Sequence, residues 1–306
     1  MKSYGFELEI GWRDRIKNFS YGVKFVLSDA QQKILKYNNP DKSLSNPYYE
    51  GQKLGEIWGY KTIGIAQSDE EMNQHLANAK QPMGQKWAAG DIMYKDLNGD
   101  GKISKGASTW DDHGDLKILG DSNPHYFYGI DLTANYKGFD FRCFLQGVLK
   151  HDFWPGESSY FWGVRGGYSK WYTIGLEQHN DYFRDQPIGL AGYELPVNLD
   201  SYYPRPITSK DSDKTSFGAK NQEKQSRYMQ NAGYMRLKNL QLGYSLPKSV
   251  VEKVGISNCR VFVSGENLLT FTSLSSIFDP ETCVGGWGGN AYPLSSTWSF
   301  GLSVTF

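Results

Sequence analysis

Seven stretches of this chain alternate apolar and polar residues one by one, and the clear ones run for about ten residues. A period of two belongs to a strand with two unlike faces, so this pattern constrains the fold more than any other feature. The last stretch, TWSFGLSVTF at 297–306, sets Trp298, Phe300, Leu302, Val304 and Phe306 against Thr297, Ser299, Gly301, Ser303 and Thr305. The first sets Tyr4, Phe6, Leu8, Ile10 and Trp12 against Gly5, Glu7, Glu9 and Gly11. The second aligns Phe19, Tyr21, Val23, Phe25 and Leu27, the third Tyr126 to Tyr136, and the fourth Phe139 to Leu149. In the fifth, Leu240, Leu242, Tyr244 and Leu246 share a face, but Met235 and Leu237 are out of phase. One extra residue would restore the phase, which predicts a bulge near Lys238. The sixth is clear only at Val261 and Val263.

Strands of ordinary domains have about five or six residues, whereas a tilted strand crossing a bilayer needs about ten. The apolar faces of the five clearest runs carry no charge and are rich in aromatics near their ends, as interfacial girdles require. The links between runs sort by parity. Links at 13–18, 137–138 and 247–257 are short, and those at 28–125, 150–232 and 269–296 are long. Outer-membrane barrels have this asymmetry, with short periplasmic turns and long outer loops. The expected fold is therefore all-β: a partial antiparallel transmembrane β-barrel of about seven strands. Phe306 would lie on the periplasmic side. An open edge in lipid costs several kcal/mol per unpaired group, and seven strands do not close, so residues 1–306 are expected to be the C-terminal part of a larger barrel.

Composition agrees. Lys plus Arg and Asp plus Glu are 33 each, so no basic field argues for nucleic acid. Aromatics reach 15% and there are 34 glycines, a balance that suits β-structure with polar loops. Cys143, Cys259 and Cys283 are too scattered for a zinc motif or a disulfide framework. No run of 18 apolar residues exists, which excludes a membrane helix and leaves a barrel open.

Six stretches in order resemble the SusC/RagA family of TonB-dependent outer-membrane transporters: KLGEIWGYKTIGIAQSDEE (53–71), GDIMYKDLNGDGKIS (90–104), DDHGDLKILGDSNPHYFYGIDL (111–132), YMRLKNLQLGYSLPKSVVEKVGI (234–256), RVFVSGENLLTFT (260–272) and YPLSSTWSFGLSVTF (292–306). The resemblance implies a Gram-negative outer membrane and a barrel of about 22 strands closed by a plug. It also implies import of glycans or oligosaccharides, or of peptides, under a SusD-like surface lipoprotein. Energy would come from the TonB complex, acting through an N-terminal region outside these residues. Ser299, Gly301, Val304 and Phe306 resemble the C-terminal signal of barrel substrates, with Val304 where an aromatic is common.

In DLNGDGKIS, Asp96, Asn98 and Asp100 stand at spacing two before Gly101, as in the first half of an EF-hand loop, and the Lys102 carbonyl falls at position seven. Ala107 replaces the usual Glu, while Asp112 and Asp115 farther on could complete the shell. Calcium fixing the loop is one reading; a tight turn with solvated carboxylates is the other. Trp110, Trp162, Trp171 and Trp287 lead a group of loop aromatics that could stack on sugar rings or could pack the loops. Glu7, Glu9, Lys24, Asp131, Asp140, Arg142 and Gln146 are expected to face a lumen or plug. The five histidines lack metal spacing, and no nucleophile–base arrangement or phosphate loop stands out, so no enzyme is expected. The competing architecture is a secreted, calcium-stabilised carbohydrate-binding β-sandwich, which would bury the aromatic faces on a second sheet.

Overall fold

The computed structural model describes residues 1–156, 158–163, 174–190, 192–207, 219–284 and 291–306. Seven strands form one sheet: β1 (Lys2–Ile16), β2 (Phe19–Lys33), β3 (His125–Tyr136), β4 (Phe139–Lys150), β5 (Tyr234–Ser245), β6 (Asn258–Thr272) and β7 (Thr297–Thr305). Each pairs antiparallel with the next in sequence, with no crossover. All seven sequence runs are present and in order.

The register aligns one apolar face across the sheet. Leu8 lies opposite Leu27, Ile130 opposite Leu145, Leu242 opposite Val263, and Val263 opposite Phe300. The bulge expected near Lys238 is there, because pairing skips between Leu237 and Asn239 against both neighbouring strands. That skip returns Leu237 and Met235 to the face of Leu240 and Leu242. These rings stay exposed: Trp12 is 63% and Phe300 84% accessible. Among the described residues no second large sheet covers them, since the other ladders are two-stranded pairs within the long links. The sandwich alternative therefore fails, and the sheet is a stretch of barrel wall.

Charges gather on the opposite face and pair there. Lys24 Nζ meets Glu9 at 2.9 Å, and Arg142 grips Asp131 with two bonds of 3.0 and 2.9 Å. Arg260 on β6 reaches over Gly243 on β5 to Asp140 on β4, at 2.9 Å from Nε.

The short links lie at one end of the sheet. The first is tighter than expected: strands continue through Arg13–Ile16, leaving only Lys17 and Asn18 to turn. The second, Lys137–Gly138, has φ of 46° and 90°, the doubly positive pair of a type I′ hairpin turn. The third holds a helical turn at Lys248–Val251 and a 3₁₀ turn at Glu252–Val254, stopped by Gly255 at φ 73°. At the other end the strands run past the apolar band. Asp29 and Gln31 continue the face of Phe25 and Leu27, so β2 leaves the greasy layer before it ends.

The core lies outside the wall. Tyr60, Ile92, Tyr94, Ile103, Phe161, Trp162, Tyr228, Phe278 and Cys283 form one buried cluster drawn from all three long links.

Candidate binding surface on the long links

Buried hydrogen bonds join the links at 34–124 and 151–233. Tyr94 is fully buried and its hydroxyl donates to the Lys220 carbonyl at 2.6 Å, while its backbone N–H donates to Gln81 Oε1. Buried phenols need such partners. The third link enters through Phe278, which packs edge-on to Phe153 at 5.1 Å. It is clamped to the wall by Arg236, only 3% exposed, which donates to Asp279 and Glu281 at 2.7 Å each.

At the centre stands Asp91, with no exposed surface. It accepts from Lys220 Nζ at 2.7 Å, from Arg205 through two bonds of 2.8 Å, from Asn221 at 2.9 Å and from the Ala88 N–H at 3.0 Å. Lys220 is equally buried, stands over the Trp87 ring and also donates to the carbonyls of Gln85 and Lys86. Burial pulls its ammonium below the ordinary lysine range; Asp91 works against that shift and the Arg205 charge adds to it.

The Asp-rich loop is stapled by its own oxygens. Asp96 accepts from the N–H groups of Gly99 and Gly101, Asn98 from Asp100, and Asp100 from Lys102. Asp115, fully buried, accepts from Leu97 at 2.6 Å and Ser104 at 2.7 Å. Partial burial works to raise Asp96, but the Gly101 and Gly99 N–H groups prevail and hold it below the usual carboxylate range. Asp112 turns instead to the Ala107 N–H, at 3.0 Å. Asp96 and Asp115 adjoin, yet among the described residues no three acidic, histidine or cysteine side chains converge as a metal site. This conformation stabilises the loop by hydrogen bonds and lends calcium no separate support.

Trp110 is 41% exposed and sits between Tyr49 and Trp58, at 5.4 and 5.7 Å between ring centres. Trp162 is 6% exposed, its indole N–H donating to the Gly156 carbonyl; it is mainly a core residue, with an edge on a cavity. Trp171 and Trp287 lie outside the described residues. The sequence reading missed Asp91, Lys220 and Arg205, whose partners are far apart along the chain.

His151, just past the end of β4, is buried, and its Nε2 has no hydrogen-bond partner among the described residues. Burial lowers its pKa from the ordinary histidine value, against weaker raising effects of the Ser122 backbone and of Asp152. A depressed folded pKa contributes stability above the unfolded value of about 6.5, and that stability is lost as pH falls through the folded value. Thermal melts between about pH 7.5 and pH 5 should show the wild type losing more stability on acidification than His151→Gln. The comparison cancels the effect of His125, which bonds both Asp29 and Asp121.

No family model matches the chain. Over its whole length it is 27% identical to TonB-dependent receptor P3 of Formosa agariphila and 24% identical to TonB-dependent receptor P26 of the same organism. It spans about 29% of the length of each. Among solved structures, the RagAB peptide transporter superposes on 99% of the chain with a TM-score of 0.66 at 17% identity, and the RagAB peptide importer in its open-open state with 0.65. These likenesses place the seven-stranded sheet as a segment of such a barrel. The relatives are receptors and transporters, so no enzymatic reading is carried forward.

Proposed function

We propose that this chain, which is 24–27% identical over its whole length to three TonB-dependent receptors, supplies wall and outer cap to an outer-membrane nutrient importer of the SusC/RagA kind. The observation that carries this reading is the separation of interiors: the apolar face of the sheet is open to its surroundings, while the core lies in the long links. A bilayer takes the first and water surrounds the second. In this reading the short turns are periplasmic and the long links extracellular. They meet a SusD-like lipoprotein above, and the TonB complex acts through parts of the receptor outside this chain. The cargo is an oligosaccharide, a reading supported by the aromatic side chains around the loop cavity; the RagAB neighbours are named for peptides, which makes peptide the competing cargo.

Fractionation tests the placement. The receptor should sediment with outer membranes and need detergent for release; recovery as a compact monomer in plain buffer would overturn it.

Calcium remains a proposal for the Asp-rich loop, with Asp96, Asn98, Asp100 and Asp115 side chains and the Lys102 carbonyl as donors. Calcium at about 1 mM, the extracellular range for weak sites, should then raise the melting temperature of the detergent-solubilised receptor, and Asp100→Ala should abolish the rise. Identical melts in calcium and in chelator would remove the ion.

A further inference from the structure

The loop assembly holds a cavity of about 220 Å³ lined by Trp162, Tyr182, Tyr203, Asn180, Asn221 and Arg205, among others. That is smaller than a pocket for a drug-sized molecule, about 300–1,000 Å³, and suits one ring-sized group. Arg205 is the only charged residue lining it among the described residues. Among the described residues behind the cavity, Asp91 is one carboxylate holding two cations, Lys220 and Arg205. Lys220 is sealed, so the surplus positive charge reaches the cavity through Arg205, whose side chain is 32% exposed. A second cation adds to the field. Arg184 is buried and held by the carbonyls of Pro196, Asn180 and Tyr182, while Asp181 is bonded to the Asn198 amide.

A positive group lining a cavity that shows no acid among its described lining residues attracts anions. We propose that this cavity takes the terminal uronate ring of an acidic oligosaccharide. Asp91 holds Arg205 through Nε and Nη2, so the ring's carboxylate pairs with Nη1, and the aromatic side chains take its apolar face. The assignment rests on the glycan-import reading and adds the charge of the cargo.

Calorimetric titration of the full-length receptor in detergent, with trigalacturonate, galactotriose and triglutamate as probes, tests it. Trigalacturonate should bind about tenfold or more tightly than galactotriose, the scale of one charge-assisted pair. Arg205→Gln should erase that preference, and Arg205→Lys should keep part of it. Should Arg205→Gln not fold, the wild type decides: raising NaCl from about 20 to about 300 mM should weaken trigalacturonate and leave galactotriose unchanged. Equal binding of the two saccharides, a missing salt effect, or no saccharide binding at all would overturn the uronate assignment. Equal binding leaves glycan import standing, whereas tight triglutamate binding without saccharide binding overturns both.

Discussion

Asp91→Ala is expected to loosen the whole loop assembly while leaving the sheet folded. Removing one member of a buried ion pair costs about 3–5 kcal/mol, because the partner charge stays buried without compensation. Here Lys220, which has no exposed surface, would be stranded, while Arg205, 32% exposed, would keep part of its hydration. The Ala88 N–H and the Asn221 amide would lose their acceptor as well. Hydrogen exchange should therefore accelerate across residues 60–120, 174–190, 192–207 and 219–233, with the amides of β3 to β6 still protected. Unchanged protection of Tyr94 and Gln225 would show that the cluster is not the tie between the two links. Replacing Asp91, Lys220 and Arg205 together by leucine and methionines should restore much of the protection, since a matched apolar set removes the desolvation penalty along with the pair.

Gly147→Ala is the second large effect, and it acts on the wall. A Cβ at Gly147 would lie 2.1 Å from the Tyr234 carbonyl oxygen and 2.5 Å from the Tyr128 hydroxyl. The carbonyl belongs to the neighbouring strand, so relief requires β4 and β5 to separate. The Tyr128 hydroxyl also donates to that carbonyl, at 3.2 Å, and would be displaced. Overpacking of this kind costs about 1–3 kcal/mol. The temperature at which the folded barrel converts to its unfolded electrophoretic form should fall. Gly11→Ala is the control: among the described residues nothing lies within 4 Å of a Cβ there, so it should melt like the wild type or slightly higher. Equal behaviour of the two variants would mean that the strands flex enough to admit a methyl group.

The wall was legible because strands facing two solvents write their pattern at period two. The same logic placed the bulge at Lys238 before any coordinates, since Leu237 and Leu240 cannot otherwise share a face. Strand ends were less legible. Alternation fades where β2 leaves the apolar band at Asp29, although its hydrogen bonding continues to Lys33. The loop core left almost no local signal. Asp91 and Lys220 are 129 positions apart, and Tyr94 and Gln225 are 131 apart, so no window of sequence contains both partners. Asp115 was grouped with Asp112 on composition alone. Only its burial against the Leu97 and Ser104 N–H groups separates the two. Trp162 could have stacked on sugar or packed the loops, and one helical turn at Ser159–Trp162 folds it inward.

Tyr60, Tyr94, Phe161 and Tyr228 pack with one another rather than with the sheet, so the architecture stands on two foundations that share little. The staves ask for alternation and tight hairpins, and they meet the superstructure at a few polar clamps such as Arg236 with Asp279 and Glu281. Under the import reading, new cargo preferences arise by exchanging or remodelling that superstructure as a unit, without the staves having to be refitted.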